Sequence, residues 1–275
     1  MRFIPNRFLT FVMGKLAASN NYLIKTILIK GFIQIYDPDL SLIKKENIKE
    51  FKSYNDFFIR ELKADSRPIE HSENIITSPV DGTVVDFGKI IEGNLIQAKE
   101  FKYSISDLLG NVDLGAKFRN GLFVTIYLAP TDYHRIHSPY AGKIISSNHM
   151  GTSLHSVNDR AQRLIPSLYV KNERGLVVVE SKKLSYALVS VGASVVGSIV
   201  PFWSKNKIKF RNDLIKQWRK GPEENQKYVK KGQEIAHFRM GSTVILLLPE
   251  ANKININSLY QNKTVKFGEK LIELK

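Results

Sequence analysis

Three short segments of this sequence set reactive side chains among strand-forming residues. Ser78-Pro79-Val80-Asp81-Gly82 puts a carboxylate at a turn that opens a strand. Pro130-Thr131-Asp132-Tyr133-His134-Arg135-Ile136-His137-Ser138-Pro139 follows an apolar run from Leu122 to Leu128. Arg239-Met240-Gly241-Ser242-Thr243-Val244 leads into a wholly apolar strand. A serine hydroxyl becomes a competent nucleophile when a histidine takes its proton, and a carboxylate can orient that histidine. Asp81, His137 and Ser242 supply these three types from distant parts of the chain. Only 6 histidines occur in 275 residues, and two of them share one proline-bounded loop. Gly241 adds a further feature, because a residue without a side chain can take a strained turn and expose its carbonyl to attack.

Other chemistries fit less well. The His134-x-x-His137 spacing would suit zinc on a helix, but here it lies in a loop after a strand. No third ligand stands out, so no metal is expected. A serine hydrolase elbow, G-x-S-x-G, is absent, since F-R-M-G-S lacks the first glycine. Gly192 and Gly197 flank Ala193 to Val196, but no Gly-Lys-Ser/Thr ending follows, so a tight turn beside a packed strand is expected rather than a phosphate loop. The chain has no cysteine, which excludes disulfides, thiolate zinc sites and a cysteine nucleophile.

The elements that must carry these segments change character along the chain. The first 36 residues hold Arg2, Arg7, Lys15, Lys25 and Lys30 and no acidic residue. Aliphatic and aromatic residues lie between these charges, predicting two short helices that break near Ser19-Asn20-Asn21 and end before Asp37-Pro38. No apolar run approaches the ~18–20 residues needed to cross a bilayer. Basic helices with large apolar faces suit a membrane interface, or they pack on the protein's own core. After a lysine-rich link, Tyr54 to Leu62 reads as another helix with Ser53 as its N-cap and Asp56 at its third position. From Ile75 onward, short β-branched runs alternate with turn residues: Gly82 to Val85, Leu122 to Leu128, Gly142 to Ile145, Gly175 to Val179, Tyr186 to Val191 and Thr243 to Leu248. The expected fold is α+β, with basic amphipathic N-terminal helices (1–66) followed by a β-rich, sandwich- or barrel-like catalytic body (67–275).

The formal net charge is +15, and a hydrophobic fraction of 43% is enough for a core. Such a charge favours polyanions, either nucleic acid or an anionic lipid surface, unless it is only a well-solvated basic surface. Residues 205–231 hold 10 Lys or Arg against 3 acids, with Trp218 and Tyr228 interleaved. Aromatics in such a stretch can stack on bases or sit at a headgroup layer, and no nucleic-acid motif surrounds them.

Taken together, the segments resemble the bacterial-type phosphatidylserine decarboxylases nearly end to end. The resemblance rests on YNDFFIREL (Tyr54 to Leu62) with Arg67-Pro68-Ile69, SPVDG (Ser78 to Gly82) and Phe118-Arg119-Asn120-Gly121. It continues through DYHRIHSP (Asp132 to Pro139), Asn172-Glu173-Arg174, VGASVVGSI (Val191 to Ile199) and Gly241-Ser242-Thr243. Met240 departs from the family's usual leucine, a swap of similar volume. The resemblance implies a proenzyme in which Asp81, His137 and Ser242 form a self-processing relay cutting between Gly241 and Ser242. The products would be a β chain, 1–241, and an α chain, 242–275, held as a heterodimer. Ser242 would become a covalent pyruvoyl group that takes the substrate amine as a Schiff base and acts as an electron sink. His134 would recognise the carboxylate or handle the proton of decarboxylation. The implied substrate is phosphatidylserine in the bilayer, reached peripherally from an anionic membrane surface, on the cytoplasmic face of the cell membrane, with no nucleic-acid partner.

Overall fold

The computed structural model describes residues 6–97, 101–193, 198–204, 211–239 and 242–275. The N-terminal helices fall where charge and apolar spacing put them: α1 is Asn6–Ala17 and α2 is Tyr22–Tyr36. Asn21 starts α2, its Oδ1 accepting from the Leu23 and Ile24 amides at 3.0 and 3.3 Å. Asp37 ends it in a left-handed conformation, donating its amide to Ile33 O. α2 buries Lys25, Ile29 and Phe32, so one of the basic residues of this region is turned inward. The Lys25 ammonium donates to the carbonyls of Lys49 and Phe51.

The next helix, α3 (Tyr54–Phe58), has the expected Ser53 cap, whose Oγ accepts from Asp56 N at 3.2 Å. It stops four residues earlier than the pattern predicts. Ile59 O is taken by Arg135 Nε at 2.9 Å, and Leu62 bridges to Ile43, so the chain turns out of the helix after Phe58. Ile29, Phe32, Phe51, Tyr54, Phe57 and Phe58 form a small core of their own in this region.

The body begins with β1 (Ile75–Thr77), β2 (Gly82–Lys89), β3 (Asn94–Gln97) and β4 (Phe101–Ser104), then α4 (Ile105–Leu109) and α5 (Val112–Lys117). β5 (Leu122–Leu128), β6 (Arg135–His137) and β7 (Gly142–Met150) precede α6 (Asp159–Leu164) and α7 (Leu168–Lys171). β8 (Arg174–Glu180), β9 (Ser185–Gly192) and β10 (Ile199–Pro201) lead to α8 (Arg211–Lys220). The chain closes with β11 (Tyr228–Val229), β12 (Glu234–Phe238), β13 (Ser242–Leu248), β14 (Ile254–Asn255), β15 (Thr264–Val265) and β16 (Lys270–Leu274). One eight-stranded antiparallel sheet, in the order β11-β7-β8-β9-β13-β5-β2-β15, organises the body. Two three-stranded sheets, β1-β16-β14 and β10-β12-β6, accompany it.

β13 lies inside the large sheet, between β5 and β9. Val244, Leu246 and Leu248 face a core shared with Ile76, Ile136, Phe238 and Ile272 of the small sheets. Ile245 and Leu247 face the opposite core, with Leu108, Phe118 and Tyr169 around the helices. Both faces of the strand are covered, which is why its sequence is continuously apolar rather than alternating. The molecule is therefore α+β with a layered, sheet-rich body, as the strand pattern predicts.

Trp218 corrects the reading of the basic stretch. Its side chain is fully buried, and its indole N–H donates to Ile199 O at 2.7 Å. Gly175 admits it, since a Cβ there would lie 2.5 Å from the indole ring. A tryptophan so placed is available neither to bases nor to headgroups, whereas Tyr228 is exposed. Residues 205–210 of that stretch lie outside the described residues.

Candidate active site

Ser242 is the first residue of β13, with its backbone opposite Leu128 of β5 and Gly192 of β9. Gly241 and Met240 lie outside the described residues. The two arms of this segment are held by the two ends of one loop. Leu128, just before the loop, pairs with Ser242, while His134 O accepts from Phe238 N at 2.9 Å. Residues 129–134 thus connect the backbone partner of Ser242 to that of Phe238.

β2 brings in the carboxylate. Its register against β5 pairs Thr83 with Tyr127, which itself faces Thr243, so Asp81 lies at the same end of the sheet as Ser242. Two strand spacings separate the Asp81 end of β2 from β13, about 10 Å. Gly82 is required for this approach, because a Cβ there would sit 2.4 Å from Tyr127 O. Asp81 is buried and its carboxylate is well satisfied. Oδ2 accepts from Arg67 Nη2 at 2.8 Å, Oδ1 accepts from Phe267 N at 2.8 Å, and Lys266 Nζ stands 3.6 Å from Oδ2.

His137, on β6, is buried nearby. Its Nδ1 donates to Gly232 O at 2.8 Å, which fixes the neutral tautomer and leaves Nε2 as an acceptor 3.3 Å from the Tyr133 hydroxyl. The ring stacks on Phe267, with centroids 3.9 Å apart. Burial holds this imidazole below the usual histidine pKa, opposed by the Gly232 bond. The fold brings Asp81 and His137 to one seam without a direct hydrogen bond between them. Phe267 links the two, its amide on Asp81 and its ring on His137.

Ile69 organises that seam. Gly232 and Gly268 have φ of +78° and +90°, and a Cβ on either would meet the Ile69 side chain at 2.8 or 2.7 Å. The segment Arg67-Pro68-Ile69 therefore clamps Asp81 with its arginine and seats, with its isoleucine, the glycine whose carbonyl holds His137. Arg67, Phe267 and Gly232 were missed as site residues by sequence reasoning. Arg67 had a signal in its motif, whereas a backbone amide and a backbone carbonyl carry none.

His134 is fully buried, in the loop before β6. Its Nδ1 donates to Asp132 O at 2.8 Å, and its ring packs on Phe58 at 4.2 Å between centroids. Nε2 is buried and has no hydrogen-bond partner among the described residues. Burial pushes the imidazole down to about 3, and the nearby Arg60 charge acts in the same direction. The ring is therefore neutral at physiological pH, with a bare lone pair on Nε2.

On the β9 side, Asn172 ties the surroundings of Ser242 together. Its Nδ2 donates to Gly192 O and to His155 O, both at 2.9 Å, while Oδ1 accepts from His155 N. No cluster of three or more His, Cys, Asp or Glu suited to a metal occurs among the described residues. The assembled chemistry is a serine at a sheet-embedded chain position, two buried histidines, one with an unpartnered Nε2 (His134) and one whose Nε2 meets the Tyr133 hydroxyl (His137), and an ionic clamp on a carboxylate.

The phosphatidylserine decarboxylase family model matches residues 54–273, from the first residue of α3 into β16. A phosphatidylserine decarboxylase proenzyme of Psychromonas ingrahamii is 38% identical over 268 residues, covering 97% of this chain and 93% of that protein. Proteins of the same name from Vibrio parahaemolyticus and Pseudoalteromonas translucida are 40% identical over 247 residues. They cover 89% and 88% of this chain, and 86% and 85% of their own lengths. These matches define the chain as a carboxy-lyase of the proenzyme type. The chain belongs to the phosphatidylserine decarboxylase family, whose reaction is the decarboxylation of phosphatidylserine.

Proposed function

We propose that this chain cuts itself between Gly241 and Ser242, carries the resulting pyruvoyl group at position 242, and decarboxylates phosphatidylserine to phosphatidylethanolamine at a membrane surface. The observation that carries this reading is the position of Ser242 at the first residue of an interior strand. A break before it would leave β13 paired along both edges, from Ser242 to Leu248 on β5 and from Ser242 to Leu247 on β9. β15 and β16 would stay paired with β2 and β1. The small chain, 242–275, is woven into the large one and needs no covalent link to remain.

In the cut, Ser242 Oγ adds to the Gly241 carbonyl and the peptide C–N bond breaks, giving an ester. Removal of the Ser242 Cα proton expels the Gly241 carboxylate, and the dehydroalanine left behind hydrolyses to a pyruvoyl group and ammonia. His137 Nε2, oriented by Gly232, is the base for these proton transfers, and the Arg67-clamped Asp81 supplies fixed negative charge along the seam. A site for that group should offer a bare proton-handling atom shielded from water, and the orphaned Nε2 of His134 in the spanning loop meets this requirement. When present, the pyruvoyl carbonyl supplies the electron sink for loss of carbon dioxide. His134 handles the carboxylate or the returning proton, its neutral form being enforced by burial.

Residues 1–66 and 67–275 are taken as two working units, a membrane-associating region and a catalytic body. α2 leaves Leu23, Ile27 and Ile35 at 68%, 69% and 75% exposure, and no helix among the described residues is long and apolar enough to span a bilayer. An apolar helix face on a chain of net charge +15 suits peripheral docking to an anionic leaflet, on the cytoplasmic face of the cell membrane. Phe32 of α2 packs on Phe58, which packs on His134, so the docking region lies two side chains from the reaction centre.

The test compares phosphatidylethanolamine formation by wild type, Ser242→Ala, His137→Ala and His134→Ala on phosphatidylserine vesicles. Ser242→Ala and His137→Ala should stay uncut and inactive, while His134→Ala should be cut yet slower by roughly 100-fold or more. Wild-type turnover in Ser242→Ala would end the reading.

A further inference from the structure

Arg60 is 4% exposed, and among the described residues its guanidinium hydrogen-bonds carbonyl oxygens only. Nη2 donates to Thr131 O at 2.7 Å and to Asp132 O at 3.4 Å, and Nη1 reaches Phe58 O at 3.5 Å. Burying a cation without a carboxylate at hydrogen-bond distance is costly, so its acceptors must need holding. Two of those acceptors are the peptide carbonyls that open the His134 loop. Asp132 O also accepts the Nδ1 proton of His134 at 2.8 Å, and Phe58, two residues before Arg60, backs the imidazole ring. The two groups that fix His134 are thus both governed by one short piece of chain from the helical region.

Resting on the role given to His134 above, we propose that Arg60 is a positioning residue for decarboxylation. It pins the Thr131 and Asp132 carbonyls so that the His134 proton stays on Nδ1 and Nε2 stays bare, with Phe58 as the backstop of the ring. A planar guanidinium can span adjacent carbonyls in one plane, which a lysine ammonium on a flexible stem cannot. The Arg60 charge also disfavours protonation of His134, in addition to the larger effect of burial. Self-cleavage does not depend on this arrangement, because His137 is held by Gly232 instead.

The test uses full-length Arg60→Met and Arg60→Lys beside wild type and His134→Ala. Self-cleavage is read by denaturing mass, turnover as separate kcat and KM, and the His134 tautomer by ring ¹⁵N shifts. Both Arg60 variants should cleave fully. Arg60→Met should lose roughly 10- to 100-fold in kcat with KM changed less than about threefold, and its His134 should show mixed tautomers. Arg60→Lys should fall between on both readouts. Wild-type kcat in Arg60→Met, or a lower kcat with the Nδ1–H tautomer intact, would overturn the proposal. If Arg60→Met does not fold, the same two results in Arg60→Lys decide the matter. Wild-type turnover in His134→Ala would fail the underlying role of His134, whereas an inactive His134→Ala beside a fully active Arg60→Met fails this inference alone.

Discussion

β13 buries every side chain from Thr243 to Leu248, whereas α2, also rich in leucine and isoleucine, leaves Leu23, Ile27 and Ile35 turned outward. The strand has partners on both edges and a packed layer on both faces, so its apolar residues are consumed by the fold. The helix has one packed stripe, built on Ile29 and Phe32 with Leu28 and Ile33 beside them, and it leaves Leu23, Ile27 and Ile35 exposed. A similar composition thus does two jobs. In the sheet it anchors the strand at whose start the proposed cut would fall, and in the helix it is surplus of the kind that suits a lipid surface.

Core truncations break this comparison most sharply. Leu246→Ala, in the middle of β13, should cost about 2–5 kcal/mol of stability and lower the Tm by several degrees. Ile27→Ala on α2 should leave Tm nearly unchanged, within about 0.5 kcal/mol. Equal losses at both positions, followed by thermal denaturation, would erase the distinction between consumed and surplus apolar residues.

Vesicle binding gives the complementary and smaller effect. Leu23→Ser with Ile27→Ser should weaken binding to anionic vesicles roughly 10- to 100-fold, since partly burying the two side chains together at the headgroup layer is worth about 1.5–3 kcal/mol in total. High salt should weaken wild-type binding further, and neutral vesicles should bind less. Co-sedimentation that is indifferent to the two substitutions and to salt would place the docking surface elsewhere.

How much of this was visible beforehand follows from which groups bear the signal. β5 matches its apolar run residue for residue, and the break between α1 and α2 falls at Ser19-Asn20-Asn21, because apolar runs and caps are written in side chains. β6 (Arg135–His137) and β12 (Glu234–Phe238) were not legible, being short and mixed in polarity, although they position both histidines' backbones. Asp81, His134, His137 and Ser242 could be picked out by type and neighbourhood. The groups that orient them, Phe267 N, Gly232 O and Asp132 O, are backbone atoms that any residue possesses. Trp218 misled because aromatic residues among lysines look surface-bound until a glycine on a distant strand, Gly175, opens space for the ring.

The smallest effect concerns pH. Burial lowers the folded-state pKa of His134 to about 3 and also lowers that of His137, so the unfolded chain takes up these protons first. Stability from both is therefore full above about pH 6.5 and is lost as pH falls below it, for His134 by on the order of 1 kcal/mol per pH unit. Asp86 acts oppositely, because burial raises its pKa to about 6, which favours the folded state as pH drops toward 4. Asp86→Asn should therefore lose Tm more steeply than wild type between about pH 6.5 and 4.5. Parallel curves would remove the buried aspartate from this balance, and flat curves would remove the histidines.

Intact mass of the purified wild-type protein, measured once in denaturant and once under native conditions, bears most directly on the central claim. Two chains in denaturant, one ending at Gly241 and one running to Lys275 with a keto-acyl group where Ser242 stood, together with a single native particle containing both, are the expected result. A single unbroken polypeptide in active material, or a small chain that separates without denaturant, would contradict it.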